Sequence, residues 1–302
     1  MFRHRSHPEN SVSPPPILCV TRRVPGPDAA FRQALRLAER RGASLTLLHV
    51  HRTAEAAPGP VLPTGLPEML AQARRLVGGV ELLVVGREGD WRREVEALDW
   101  GRWGLALKVP EPEPRLRRFV GRTLDQRLAR APGIPVWFVP PSLGAEVRVV
   151  LAAVDVAHRD HAILDRKVLE AGFALSNSAQ ARYFVVHVWS PTLRGTASGR
   201  TRGWLRSLER DRRKRLARLV RERAGRTPQP LLVRGVPAAA LRRTAHRIGA
   251  DLLVLGTQRR DGWDGLLAGN LAERFLGLDG LAVFLLKPGS EIPVFPGPEL
   301  VA

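Results

Sequence analysis

The segment Gly256–Leu276 has the composition of a loop that could hold a phosphate. It is written GTQRRDGWDGLLAGNLAERFL, and four of its residues are glycine. Glycine lets backbone N–H groups approach an anion closely, and a helix that begins at the end of such a loop adds its positive N-terminal end. Arg259 and Arg260, however, lie where a phosphate loop is expected to be free of long side chains. Two alternatives follow, a working phosphate site or a site whose chemistry has been replaced.

Few other residues are arranged for catalysis or for metal binding. His49 and His51 are two apart at a strand end, so they share a face and could bind a metal, but no second ligand pair is nearby and packing is the favoured interpretation. The sequence has no GxxxxGK[ST], HxGH, SGGxDS or GxSxG motif. Because no nucleophile, base and oxyanion donor can be assembled, we expect a protein that is not an enzyme.

The elements that must position these residues follow an order that occurs twice. Helical periodicity separates the apolar runs PILCV, SLTLLHV, VELLVVG, GLALKV and IPVWFV, and then VRVVLAAVD, ARYFVVHVW, PLLVRG, DLLVLG and LAVFLLK. The joint is PPSLGAE, at about 140–146. The repeat predicts a duplicated domain.

Strands this apolar must be covered on both faces, which predicts an α/β fold with two tandem open parallel five-stranded sheets flanked by helices. The predicted domains are 15–141 and 147–290, with a disordered tail at 1–14 and a C-terminal tail at 291–302. Ligands of such folds bind at the carboxyl ends of strands near the topological switch point. The loops after VLAAVD and DLLVLG should therefore border the site.

The composition limits the partners. The formal charge is +19, yet only four of the 48 basic residues are lysine, which fits codon bias better than selection for nucleic-acid binding. The densest basic run, Trp204–Arg223, predicts a solvated helix, with an anionic membrane or a nucleic acid as the alternative partner. No apolar run approaches the roughly 20 residues of a membrane span, and the start lacks a secretory signal. A lone cysteine, Cys19, predicts a buried thiol and a reducing compartment, the cytoplasm.

The second unit resembles the universal stress proteins along nearly its whole length. The likeness is carried by LAAVD, HVW, RGVPAAALRRTAHRIGADLLVLGT, GLLAGNLAERFL and LAVFLLKPG. The first unit is similar more loosely, through ILCV, ALRLAERRGASLTLLHV and LARAPGIPVWFVPP. The tandem order, PVWFV, LDRKVLEAG and the GN before the last helix are most similar to universal stress proteins of the E type. The resemblance implies an adenine-nucleotide alpha-hydrolase-like fold, packed as an internal pseudo-dimer through the final strands.

The resemblance also implies which residues would bind a nucleotide. In nucleotide-binding members the final loop has Gly, two residues, Gly, nine residues, Gly, then Ser or Thr. The matching positions are Gly256, Arg259, Gly269 and Asn270, so the spacing is kept and two identities differ. Arg259 either obstructs the cradle or binds phosphate itself, and Asn270 can still cap the helix. Asp155 matches the family aspartate that contacts adenosine, and its alternative role is a hydrogen bond within its own turn.

ATP is thus the implied cofactor of the second unit, with binding expected to be weak or lost. The first unit has Arg22 at the position of Asp155 and should bind no nucleotide. The favoured function is a non-enzymatic stress-response protein, acting through ligand or protein binding in survival of DNA damage or starvation. An ATP-binding switch and a basic nucleic-acid scaffold are the alternatives, and the partners include unidentified proteins or a second copy of the chain.

Overall fold

The computed structural model describes residues 13–21, 26–50, 65–85, 91–111, 123–130, 133–144, 146–190, 199–221, 228–257, 271–278 and 280–295. The strands of the first half are β1 (Ile17–Thr21), β2 (Leu45–Val50), β3 (Val80–Val85), β4 (Leu105–Lys108) and β5 (Val136–Phe138). Those of the second half are β6 (Val149–Ala153), β7 (Arg182–Trp189), β8 (Gln229–Arg234), β9 (Leu252–Gly256) and β10 (Ala282–Leu286).

Helices connect the strands in both halves. The first half contains α1 (Ala29–Arg41), α2 (Leu66–Leu76), α3 (Trp91–Glu96) and α4 (Leu124–Arg130), and the second contains α5 (Ala162–Ser178), α6 (Gly199–Arg221) and α7 (Pro237–Ile248). Caps define both ends of α1. Asp28 Oδ1 accepts a hydrogen bond of 2.8 Å from Phe31 N at the start of α1, and Gly42 ends that helix with φ 62°. The basic helix α6 begins five residues before the predicted start at Trp204.

All ten strands form one sheet in the order β3-β2-β1-β4-β5-β10-β9-β6-β7-β8. Pairing is parallel within each half, and β5 meets β10 antiparallel. The α/β fold class predicted from the apolar repeats is confirmed. The two sheets join edge to edge through their final strands, as an internal pseudo-dimer should.

The junction between the halves is an aromatic cluster. Trp137 of β5 is paired with Phe284 of β10, and their ring centroids lie 5.8 Å apart. Phe295 packs edge-on against both rings, with centroids at 6.4 Å and 5.9 Å, and is only 9% exposed. Residues as far as Phe295, within the predicted C-terminal tail, therefore pack on the core.

Buried side chains line both faces of the sheet, as the continuous apolar strands predicted. In β1, Ile17 and Cys19 belong to one core layer, while Leu18 and Val20 belong to the other. Cys19 is fully buried, and this burial raises the pKa of its thiol. The nearby negative charge of Asp28 raises the pKa further, by a smaller amount. The thiol is held protonated inside the sheet, where it behaves as a small apolar group.

Candidate functional site

The topological switch point of the second half lies at the carboxyl end of β6. This strand has β7 on one side and β9 on the other. After its last residue, Val154 N still donates to Val186 O at 3.0 Å, so Asp155 is the first residue beyond the ladder. Ala153 pairs with Leu255, which places Gly256 at the same edge of the sheet. The other predicted site residues, Arg259, Gly269 and Asn270, lie outside the described part of the chain.

The Asp155 carboxylate is the centre of a compact polar cluster. Its Oδ1 accepts from Ala157 N at 3.1 Å, which is the predicted hydrogen bond within its own turn. Its Oδ2 lies 2.7 Å from Nδ1 of His158 and 3.1 Å from Nδ1 of His161. Because a carboxylate can only accept, each imidazole presents an N–H to it in this arrangement. Two histidines thus converge on one oxygen of the predicted ligand-binding residue.

The electrostatics keep Asp155 ionised. Partial burial by itself raises the pKa of this carboxyl, but the hydrogen bonds from His158 and Ala157 outweigh it, and the pKa lies below its ordinary value. The side chain is 38% exposed. A half-exposed negative charge at a switch point is available to a ligand from solvent.

Two buried side chains form hydrogen bonds with the backbone of this turn. Asp165 Oδ1 accepts a hydrogen bond of 2.9 Å from Asp155 N, and burial, with the neighbouring Asp155 charge, raises the pKa of Asp165 to about 7. His187 Nδ1 lies 3.0 Å from Val154 O and must donate to it. Burial lowers the pKa of His187, so the ring is neutral, and its Nε2 has no hydrogen-bond partner among the described residues.

Gly256 has a packing role that the loop pattern did not reveal. A Cβ built at this position would lie 2.5 Å from Cγ and 2.6 Å from Cδ2 of Leu164. Leu164 is a buried residue in the first turn of α5. The glycine therefore lets α5 approach the end of β9, whatever the loop that follows does with a phosphate.

Strand register relates the two halves position by position. His49 pairs with Thr21, and His187 follows Val186, the partner of Ala153. Aligning the two histidines makes Val20 equivalent to Ala153. Their partners on the next strand, Lys108 and Leu255, are then equivalent as well.

The predicted histidine pair of the first half is only partly described. His49 is buried, with Nδ1 3.3 Å from Thr21 Oγ1. Arg22, the counterpart of Asp155, and His51 lie outside the described residues.

A buried ion pair lies at the end of β4, the position in the first half that matches the end of β9 in the second. Lys108 Nζ lies 2.7 Å from Asp125 Oδ1 and 3.4 Å from Glu111 Oε1, and Glu111 N donates to Asp125 Oδ2 at 2.8 Å. The Lys108 and Asp125 side chains are 3% and 7% exposed. Burial raises the pKa of Asp125, with the Lys108 ammonium opposing it. The space at the end of β4 is thus filled by Lys108 and the two carboxylates that pair with it.

Comparison with known proteins decides the family. The model of the universal stress protein family matches residues 15–98 and 146–277, well over half of the chain and in two copies. The chain belongs to the universal stress protein family. A search of curated proteins found no significant match.

Solved structures share the fold of this tandem universal stress protein. A functionally unknown protein of Pseudomonas aeruginosa PAO1 has 23% identity and a TM-score of 0.68, covering 92% of this chain and 94% of its own. A protein of Pseudomonas aeruginosa UCBPP-PA14, described as a universal stress protein, has 22% identity and a TM-score of 0.66 over the same shares. A universal stress protein of Archaeoglobus fulgidus DSM 4304 has 15% identity and a TM-score of 0.53, covering 89% and 96%. At these identities, the likeness shows the fold alone.

Sequence reasoning missed two residues of the site of this universal stress protein. His158 and His161 were not among the predicted site residues, although they follow Asp155 at intervals of three. The spacing Asp-x-x-His-x-x-His directly after an apolar strand was the available signal. Apart from Asp155, the predicted site residues all came from the glycine loop, most of which the structure does not describe.

The basic helix α6 is largely exposed to solvent. Leu216 and Val220 are buried, so this stripe packs on the protein. Both acidic side chains of the helix, Glu209 and Asp211, pair with arginines four residues later at 3.0 Å and 2.9 Å. Trp204 is 53% exposed. Among the helices that the structure describes, none has the length and apolar character needed to cross a membrane.

Proposed function

We propose that this universal stress protein acts by binding rather than by turnover, and that the second half binds an adenine nucleotide at Asp155. The observation that carries the proposal is the ionised, half-exposed Asp155 carboxylate at the switch point of the second half. The equivalent level of the first half is filled by the buried pair of Lys108 and Asp125. One nucleotide site per chain follows.

The carboxylate has the chemistry to recognise the nucleoside rather than the phosphates. It can only accept hydrogen bonds, and three of about four lone-pair positions already face Ala157 N, His158 Nδ1 and His161 Nδ1. A hydroxyl or amino donor of adenosine suits the remaining position. Phosphate would be repelled, and it belongs on the β9 side, where Gly269 and Asn270 follow in the sequence.

The wider setting belongs to the same proposal. We place the protein in the cytoplasm, in survival of DNA damage or starvation, and among tandem members of the E type. Support comes from the sequence resemblance and from the single buried thiol of Cys19, which suits a reducing compartment. Unidentified protein partners would read the nucleotide-bound state.

The first measurement is mass analysis of small molecules released on denaturing the native protein, followed by ATP titration calorimetry. We expect one ATP or AMP per chain, and a loss of at least about tenfold in affinity with Asp155→Asn, since a charge-assisted hydrogen bond is removed. The matched control is Asp160→Asn, which removes an exposed carboxylate five residues away. It should leave the affinity unchanged.

Arg259→Gly decides between the two roles of that arginine. Tighter ATP binding would mean that the side chain obstructs the cradle, and weaker binding would mean that it holds the phosphates. A folded protein that carries no nucleotide and ignores ATP, AMP and adenosine would overturn the proposal. The role of the fold would then lie in protein contacts alone.

A further inference from the structure

We propose that Asp155, His158 and His161 form a binding site for one divalent transition-metal ion, with zinc the expected occupant. One carboxylate oxygen and one nitrogen from each imidazole lie within 4.8 Å of one another. Two imidazoles and a carboxylate are a donor set that zinc uses in sites with an open coordination position. The choice of imidazole also disfavours magnesium and calcium, which prefer oxygen ligands. The site does not depend on nucleotide binding, although it shares Asp155 with the proposed function.

The local backbone explains why the three side chains converge. His158 N donates to Asp155 O at 3.4 Å, and His161 N donates to His158 O at 3.2 Å. These are successive turns with a three-residue interval, and residues 159–161 form a 3₁₀ turn before α5 begins at Ala162. Side chains three apart in such a turn lie above one another. The spacing Asp-x-x-His-x-x-His thus places all three donors on one side of the chain.

The distances are close to those of a bound metal. Ligand atoms at about 2.05 Å from a tetrahedral zinc are about 3.3 Å apart. Asp155 Oδ2 is 2.7 Å from His158 Nδ1 and 3.1 Å from His161 Nδ1. An ion therefore requires Asp155 Oδ2 to move about 0.6 Å further from His158 Nδ1 and about 0.2 Å further from His161 Nδ1. Each Nδ1 must also give up the proton that it donates to the carboxylate, so that the neutral ring carries its proton on Nε2 instead. His158, whose side chain is 57% exposed, can make most of that adjustment.

The surroundings orient the carboxylate and leave a path for the ion. Ala157 N holds Asp155 Oδ1, so Oδ2 is directed to the two histidines. Hydrogen bonds of this kind to ligating carboxylates are a regular part of metal sites. His161 is 16% and Asp155 38% exposed, so the cluster opens to solvent. Three protein donors leave a position for water or for an oxygen of a bound ligand.

His187 is a neighbour of the site rather than a ligand. Its Nδ1 is 3.9 Å from Asp155 Oδ1 and donates to Val154 O. Its neutral, buried ring adds no positive charge that would repel the ion, because burial lowers its pKa. Arg212, which donates to Val156 O at 3.4 Å, is the cation on the neighbouring helix α6 whose charge faces this turn.

The test uses the full chain, freed of any affinity tag and treated with a chelator. Zinc affinity is measured by competition with a chromophoric chelator, and coordination by the visible absorption of the protein with cobalt(II). We expect one zinc per chain. His158→Ala and His161→Ala should each lower the affinity by at least about 100-fold, because even outer partners of metal sites are worth 10–100-fold. The matched control, His246→Ala, removes an exposed histidine of α7 and should change neither measurement.

The outcomes separate this site from the nucleotide site. Circular dichroism confirms that each variant is folded, and ATP titration of the metal-free protein is run beside the zinc titration. Loss of zinc binding in His158→Ala, with the control intact, supports the site whatever ATP does. Zinc affinity that is unchanged in both histidine variants, or a cobalt spectrum that they leave unaltered, overturns it. ATP binding that survives this result leaves the proposed function standing.

Discussion

Gly256→Ala should destabilise the protein through a collision with Leu164. Apolar carbon atoms pack at about 3.5–4.0 Å, so a Cβ at 2.5 Å from Leu164 Cγ is roughly 1 Å too close. Cγ is attached directly to Cβ of Leu164, so rotating the outer methyl groups does not remove the overlap. Either the buried leucine must change its χ1 rotamer, or α5 or β9 must shift. Overpacking of this kind costs about 1–3 kcal/mol in free energy of unfolding.

The assay is a double-mutant cycle measured by urea denaturation. Leu164→Ala alone removes buried methyl groups and should cost about 2–5 kcal/mol. In the double variant the new methyl group occupies space that the leucine has left, so the combined loss should be smaller than the sum of the single losses by about 1–3 kcal/mol. Gly78→Ala is the matched control, because a Cβ there meets nothing within 4 Å. A Gly256→Ala protein as stable as the control, or additive losses in the cycle, would refute the packing role.

Further predictions concern buried charges in the first half and at the junction. Lys108→Met should cost about 3–5 kcal/mol in urea denaturation because it strands the Asp125 carboxylate, whereas Arg213→Met, which breaks an exposed pair with Glu209, should cost about 1 kcal/mol or less. Equal losses would contradict the buried pair. Burial lowers the pKa of Lys287 to about 7, and an unfolded lysine titrates near pH 10.4, so the unfolded state binds more protons between these values. The stability of the wild type relative to Lys287→Met should therefore rise from about pH 7 to about pH 10, and a difference that stays constant over this range would count against the lowered pKa of Lys287.

The periodicity of apolar residues in the sequence predicted most of the fold. The apolar runs of five to nine residues, separated by helical patterns, predicted ten strands and their parallel pairing within each half. They could do so because a strand covered on both faces must be apolar throughout. The start of α6 could not be placed as well, since residues 199–203 have no apolar stripe to mark them. Phe295 shows the same limit, because its burial depends on Trp137 and Phe284, which are distant in sequence.

The site was less accessible to sequence reasoning. Asp155 and Gly256 could be placed at one edge of the sheet because they end neighbouring strands. The convergence of His158 and His161 on Asp155 depends on a tight three-residue repeat in the turn, and helical periodicity does not distinguish this from an ordinary helix start. The closeness of Leu164 to Gly256 joins residues 92 positions apart, and local patterns contain no such distance.

The antiparallel contact between β5 and β10 has a consequence beyond stability. The two halves meet as two subunits would, yet they belong to one chain, so dilution cannot separate them. A symmetric homodimer repeats every substitution at both of its sites. Here each half varies alone, which allows a lysine at the end of β4 and a leucine at the matching position of β9. The first half is therefore free to become a structural support, while the second half keeps the solvent-accessible carboxylate of Asp155.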